Sequence, residues 1–415
     1  MNKGLLFLAH RMPYPQNKGD KIRSFHLLRH LAQDYPVYLG CLVDDPADWQ
    51  YAGELDALCA GVKAIALNPL VGRIKGFGSI ARGRPLSLDY FWNKQLAAWV
   101  DSLVRDNKVC VALAFSSPMA RYLEYHDGIG RVMDFVDVDS DKWRQYAEEA
   151  QRPLSWIYRR EHGTLERYER KIAGLFDASV VVTEAEAQLL RSLAPAASDR
   201  IHAVANGVDY AYFDPGIESD DPFGHGCRAL VFTGAMDYRA NVDAVDWFAS
   251  EVFPSVRESE PRAEFWIVGS NPTERVQRLA GVEGIHVTGR VPDVRPYLSH
   301  ASAVVAPLRV ARGVQNKVLE ALSMERPVIC TPEAAEGLAD GAPLSVTEHP
   351  AEMSRMLLEV LRAGDAASCR DNVGRNYVRQ NYEWSVNLSR MTALIDKASD
   401  LAASGAVGNH TGEAA

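Results

Sequence analysis

Two periods run along this chain. Short apolar runs rich in β-branched residues predict strands, and apolar residues recurring every three or four positions predict helices. The first half reads as a strand over 4–10, then a helix over 19–33 with Ile22, Phe25, Leu28 and Leu31 near one face. A strand at 37–43, a helix at 47–60 and a strand at 62–67 follow. A helix at 90–105 places Trp92, Leu96, Trp99 and Leu103 at helical spacing. Strands at 109–115 and 131–136 lead to one long or once-broken helix over 139–176, interrupted near Pro153. A strand at 178–183, a helix at 184–192 and a strand at 201–205 complete this half.

The stretch 215–226 (PGIESDDPFGHG) is turn-rich and acidic, and reads as a linker. Alternation then resumes. Strands at 228–233, 263–268 and 285–288 end in Gly234, Gly269 and Gly289, with a helix over 241–253 between the first two. Strands at 302–306 and 327–331, a helix at 351–363 and one or two helices over 371–398 follow. Strands separated by helices imply parallel pairing with right-handed crossovers. The expected architecture is therefore α/β, two Rossmann-like parallel-sheet domains facing across a cleft. The expected boundaries are 1–205 for the first domain, 206–226 for a junction, 227–398 for the second domain and 399–415 for a disordered tail. The last helix of the second domain has the option of packing back on the first.

Candidate chemistry concentrates between residues 306 and 331. Gly313 opens a loop, and a helix over 316–325 sets Val318, Leu319 and Leu322 on one side and Asn316, Lys317, Glu320 and Ser323 on the other. Backbone N–H groups and the helix dipole favour an anion at such a helix start, and Lys317 adds a mobile positive charge. Glu320 lies about 6 Å further along the axis. A phosphate at the helix start and a ribose hydroxyl one turn deeper would suit a nucleoside diphosphate. Lys317 and Glu320 are equally an ordinary surface ion pair at i,i+3.

Composition narrows the choice. An apolar share of 47% and a charged share of 24% are those of a globular protein. A net charge of −9 argues against a nucleic-acid partner. The six cysteines lack C-x-x-C spacing, so neither zinc nor a disulfide framework is implied. No signal peptide is read at the start, and no window approaches the roughly 18 apolar residues of a membrane span. A cytoplasmic location is expected, with the inner face of the cytoplasmic membrane as a second option. Within this acidic chain, residues 70–94 are basic: Arg73, Lys75, Arg82, Arg84 and Lys94 against Asp89, interleaved with Ile74, Phe77, Ile80, Leu86, Tyr90, Phe91 and Trp92. That segment reads either as a peripheral lipid contact or as a solvated loop and helix with a core-facing stripe.

Several fragments carry a family resemblance. Asn206-Gly207-Val208-Asp209 with Phe213 and Pro215 resembles the junction signature of retaining family-four glycosyltransferases with the GT-B fold. Phe232-Thr233-Gly234 and Trp266-Ile267-Val268-Gly269 resemble the first strand ends of their nucleotide-binding domain, and Thr288-Gly289-Arg290-Val291 resembles their nucleobase loop. More narrowly, PYPQNKGDKIRSFH near the start, DFVDVDSDKW at 134–143, TGAMDYRANVDAV at 233–245 and RGVQNKVLEA at 312–321 resemble sugar transferases associated with PEP-CTERM/exosortase exopolysaccharide systems. The resemblance implies transfer of a sugar, with retention, from a nucleotide-diphosphate donor to a glycan or polyprenyl-linked acceptor. It further implies a donor site in the second domain and no metal or other cofactor.

The residues and the resemblance together give the donor-site candidates Gly19, Gly234, Arg239, Arg290, Val291, Arg312, Gly313, Val314, Gln315, Asn316, Lys317 and Glu320. Catalytic candidates are Asp137, Asp20 and Lys317. The family places two glutamates eight positions apart. Here the second matches Glu320, while Arg312 stands where a sugar-contacting glutamate is expected. The basic pair that normally follows the first strand of the second domain is also absent, leaving Arg239 as the nearby cation. Asp134, Asp137 and Asp139 cluster at a strand's carboxyl end, the ligand end of a parallel sheet. Asp137 is the choice for orienting or deprotonating an acceptor hydroxyl, and Asp139 and Ser140 are the choices for helix capping. No histidine matches the family's catalytic one, and His10 reads as structural. A nucleotide-sugar 2-epimerase and a non-catalytic sugar-nucleotide-binding scaffold subunit are the alternative functions.

Overall fold

A computed structural model describes residues 4–405 apart from 17–18, 69, 71, 73–77, 80–81, 312 and 365–371. Two α/β units emerge. One runs from Met1 to Ala205 and takes in Asn387–Ala415, and the other is Asn206–Val386.

The first unit is built on β1 (Gly4–Ala9), β2 (Val37–Val43), β3 (Gly61–Ala66), β4 (Val109–Phe115), β5 (Gly130–Val136), β6 (Ala178–Val181) and β7 (Ile201–Ala203). Their order across the sheet is β3-β2-β1-β4-β5-β6-β7, and every pairing is parallel. All six residues of β1 are buried, as a central strand covered by helices on both faces requires. Its order reverses between β1 and β4, the switch point where a parallel sheet opens a crevice at its carboxyl ends.

The second unit repeats the plan with β8 (Arg228–Thr233), β9 (Ala263–Val268), β10 (Ile285–Gly289), β11 (Ala303–Ala306), β12 (Val328–Cys330) and β13 (Ser345–Val346). The order is β10-β9-β8-β11-β12-β13, again all parallel, with the switch point between β8 and β11. Gly234 and Gly269 end adjacent strands so closely that a Cβ on Gly269 would lie 1.6 Å from the Gly234 carbonyl oxygen. Of the stretch expected to be a linker, Phe223 is buried and packs its ring 5.0 Å from that of Trp266.

Several expectations are corrected. The helix read over 90–105 starts at Lys94. Asn93 accepts from the N–H groups of Gln95 and Leu96, an N-cap worth about 1 kcal/mol. Trp92 lies before this cap and stacks on Tyr122 at 4.7 Å, so its place in the helical period was a coincidence. The helix read over 241–253 begins at Arg239 and continues through a π turn at Phe248–Val252 to Ser259. Neither Asp139 nor Ser140 caps the Asp139–Glu149 helix. Its first N–H groups are taken by carboxylates of other helices, Val138 by Glu186 at 2.7 Å and Ser140 by Glu169 at 3.1 Å. Ser323, placed with the polar side of its helix, is fully buried. The last helix, Trp384–Ala403, runs past the expected start of the tail at 399. Ile395 and Ala398 are buried, and Ser399 bonds the Cys110 thiol, which holds that turn in place. Among the described residues no helix is long and apolar enough to cross a membrane.

Candidate functional site

In the second unit, Gly234 follows β8 and Gly313 lies in the loop after β11, so both sit at the switch point. The Asn316–Ser323 helix starts directly beyond that loop. Lys317 in its first turn reaches back to β8. Its Nζ donates to Asn241 Oδ1 at 2.6 Å and sits 4.0 Å from the centroid of the Phe232 ring. Asn241 Nδ2 in turn donates to the Ala235 carbonyl at 2.9 Å. A Cβ on Gly234 would stand 2.7 Å from Asn241 Nδ2 and 3.2 Å from Lys317 Nζ. Glycine here therefore leaves the amine against bare backbone. Asn241 was not singled out in the sequence. Its only signal is a polar amide in the first turn of the helix that follows Gly234.

Burial pulls the Lys317 pKa down to about 7 against the opposing pull of Glu320. Burial also pushes Glu320 up to about 7, with Lys317 opposing. Both groups therefore sit poised between charge states, and an arriving anion would favour the ammonium. Gly313 adopts φ +64, and a Cβ on Gly337 would meet its carbonyl carbon at 2.9 Å, so the loop is packed from behind. Gln315 Nε2 donates to Gly313 O at 3.2 Å. Gln315 provides no side-chain cap, and its carbonyl takes the Val318 N–H at 3.0 Å, which leaves the Asn316 and Lys317 amides at the helix start. The Asn316 Oδ1 atom is buried without a hydrogen-bond partner among the described residues.

The structure thus brings Gly234 and Lys317 together, with Gly313, Val314, Gln315, Asn316 and Glu320 on the same loop and helix. Arg239 is exposed and opens the helix that carries Asn241. Arg290 and Val291 follow β10, two strands from β8, with Arg290 exposed. Arg312 lies outside the described residues.

In the first unit, Gly19 and Asp20 open the Gly19–Leu31 helix. Asp20 Oδ2 accepts from Arg11 Nη1 at 2.7 Å and lies 3.2 Å from His10 Nε2, while Oδ1 accepts from the Lys21 N–H at 3.0 Å. Burial works to raise the Asp20 pKa, but His10 and Arg11 outweigh it and hold the group well below the usual carboxylate range. A carboxylate so held orients its partners and does not shuttle protons near neutrality. His10 stacks on Phe115 at 5.9 Å, beside the β1–β4 switch point. Its Nδ1 is buried with no partner among the described residues.

Asp137 follows β5. Lys142 Nζ donates to its Oδ2 at 2.7 Å and to Asp139 Oδ1 at 3.2 Å. Asp134 is instead buried, bound to Arg23 Nε at 2.8 Å. Val136 between them has φ +70, a left-handed conformation that costs a β-branched residue about 1–3 kcal/mol. The bend is held in part by the Val136 N–H donating to Asp134 Oδ1 at 3.1 Å.

Glycine strand ends and a basic helix start at the switch point of a parallel sheet are the layout of nucleotide-binding α/β proteins. Residues 227–363 match the family described as glycosyl transferases group 1. No curated protein matches the chain. Among solved structures, the chain is similar to sucrose-phosphate synthase from Thermosynechococcus elongatus, at 16% identity and a TM-score of 0.69, covering 95% of this chain and 98% of that one. It is also similar to WaaG, a glycosyltransferase involved in lipopolysaccharide biosynthesis, at 15% identity and a TM-score of 0.62, covering 96% and 99%. Anabaena HepE in complex with UDP gives 11% identity and a TM-score of 0.64, covering 95% and 100%. At these identities the likeness is one of fold, and that fold is GT-B.

Proposed function

We propose that this protein transfers a glycosyl group from a nucleoside-diphosphate sugar to a hydroxyl of a glycan or polyprenyl-linked acceptor. The observation that carries the reading is the contact of Lys317 with Asn241 beside Gly234, at the start of a helix and at the switch point of the second unit. In this reading the first-turn amides and Lys317 hold the diphosphate. Glu320, one turn on, accepts from the ribose, and the backbone at Arg290 and Val291 meets the base. Arg239 and Arg312 add positive charge. The bond from the anomeric carbon to the diphosphate oxygen breaks, a bond to the acceptor oxygen forms, and the proton of the acceptor hydroxyl passes to the departing diphosphate. Lys317 stabilises the charge that develops on the leaving group, so the reaction runs without a metal.

In the first unit, Gly19 lets a ligand approach the backbone, Asp20 fixes the His10 ring, and Asp137 orients the acceptor hydroxyl. Retention at the anomeric carbon, a role in exopolysaccharide assembly, a cytoplasmic site of action and a membrane contact through 70–94 belong to the same proposal. They rest on the family resemblance and the charge pattern. Within that segment Arg73, Ile74, Lys75, Phe77 and Ile80 lie outside the described residues.

The test is a thermal-shift series of the full chain with UDP, GDP, ADP and dTDP, followed by transfer assays with the matching nucleotide sugars. UDP comes first because it occupies HepE. A nucleotide at 100 times its Kd adds about 2.7 kcal/mol to stability. Absence of a shift with all four would remove the donor site. Conversion of the nucleotide sugar in the absence of any acceptor would point to epimerisation instead.

A further inference from the structure

The Asp139–Glu149 and Leu154–Leu175 helices form a hairpin in the first unit whose tip carries an unusual load of apolar surface. Trp156 is 63% exposed, Leu154 51% and Tyr146 47%. Tyr146 belongs to a ring cluster with Trp143 and Tyr158, centroids 5.9 and 6.1 Å away. Arg152 and Arg159 are exposed on the same tip.

The hairpin is fastened to a second basic element. Arg160 Nη2 donates to the carbonyls of Ser79 and Arg84 at 3.0 Å each, and Glu161 accepts the Leu86 N–H at 2.7 Å. The turn between them, with Gly83 at φ +65, presents Arg82 and Arg84 to solvent. Trp156 and Arg160 are one helical turn apart, so the exposed indole rises beside this turn. Four arginines are thus exposed on the hairpin tip and the turn fastened to it, with the exposed Trp–Leu pair, on a chain whose net charge is −9; of these Arg82 lies 3.6 Å from Asp89.

We infer that the hairpin tip is a docking surface for an anionic phospholipid bilayer. The arginines attract the headgroup charge, and Trp156 and Leu154 enter the interface, where an indole is at home. This deepens the membrane contact proposed for 70–94 and is independent of glycosyl transfer. Basic charge alone would suit an acidic protein, but a bilayer uses both halves of the surface, the charged rim and the apolar centre.

The full chain is sedimented with phosphatidylcholine vesicles containing either no or 30% phosphatidylglycerol, at low and high salt. Binding is expected only with phosphatidylglycerol and is expected to fall with salt. Arg152→Glu with Arg159→Glu should weaken it by more than 25-fold, since each arginine contributes about fivefold. Trp156→Ser with Leu154→Ser should weaken it about tenfold or more while leaving circular dichroism unchanged, because both side chains are exposed. The exposed Trp49→Ser serves as a control and should bind as the parent does. Loss of binding in Arg82→Glu with Arg84→Glu, with both hairpin pairs unaffected, overturns the inference and leaves the 70–94 contact standing. Absence of binding to either vesicle overturns both.

Discussion

Replacing Lys317 by methionine keeps most of the unbranched side chain and removes its charge. In the free protein the amine lies against Phe232 and Asn241, and burial has brought its pKa down to about 7. A diphosphate bound at the helix start would restore the ordinary preference for the ammonium. Binding above pH 7 therefore takes up a proton. Below pH 7 the lysine is charged both free and bound, and affinity is level. From pH 7 up to the pKa in the complex, affinity falls by up to about tenfold per pH unit. A hydrogen bond to a charged group contributes about 1.5–3 kcal/mol, so Lys317→Met should weaken UDP about 10- to 150-fold at pH 6.5. It should also abolish the proton uptake at pH 8 and the fall in affinity above pH 7 that goes with it. The assay is isothermal titration calorimetry with UDP from pH 6 to 9 in two buffers of different ionisation heat, which counts the protons exchanged. Glu320 also titrates at about 7, and Glu320→Gln should leave the proton uptake at pH 8 in place. A parent protein whose UDP affinity is flat from pH 6 to 9, or a Lys317→Met variant that keeps the slope, refutes the assignment.

Three further outcomes are expected. Glu320→Ala should weaken nucleoside diphosphates while leaving inorganic pyrophosphate unaffected, and unchanged nucleotide affinity would sink the ribose contact. Burial raises Glu169 to about 8 despite the bonds from Ser140, with Asp139 and Glu186 adding to the rise. The folded state then holds a proton that the unfolded state releases above pH 4.3, so stability falls with pH up to about 8. Glu169→Gln should accordingly raise Tm at pH 8.5 and have little effect at pH 4.5, and an equal shift at both would contradict the cause given. Arg23→Met should cost about 3–5 kcal/mol in urea unfolding, because it leaves Asp134 buried without its counter-charge; a cost below 1 kcal/mol would show that the pair is relaxed.

The buried parallel strands were legible almost to the residue. β2, β4, β8 and β9 coincide with their apolar runs, because strands buried over most of their length carry few polar positions, here Arg228 and Glu264. The Glu274–Leu279 and Arg295–His300 helices were missed, since six residues are too few to display a 3.6-residue period. At the candidate site, Lys317 could be found from the glycine loop and helix that present it. Its partner Asn241 could not, because the two meet only when β8 and β11 become neighbours, and 76 positions separate them in sequence. Asp20 showed as an acidic helix start, but Arg11 and His10, which fix its charge, belong to the strand end before it. No local pattern records that pairing.

The first unit is discontinuous in sequence, and this bears on how it is made. Thr392 meets His30, Asp396 meets the Tyr35 hydroxyl and Ser399 meets Cys110, so this unit is completed by residues from the far end of the chain. During synthesis all of Asn206–Val386 leaves the ribosome before those contacts can form. The unit begun first is therefore finished last, and until then the surface around Tyr35, Cys110 and Ile129 waits uncovered. A chain terminated after Ala205 would carry that surface permanently, exposed to aggregation. A fragment able to close the first unit must therefore run from its first strand through Ser399.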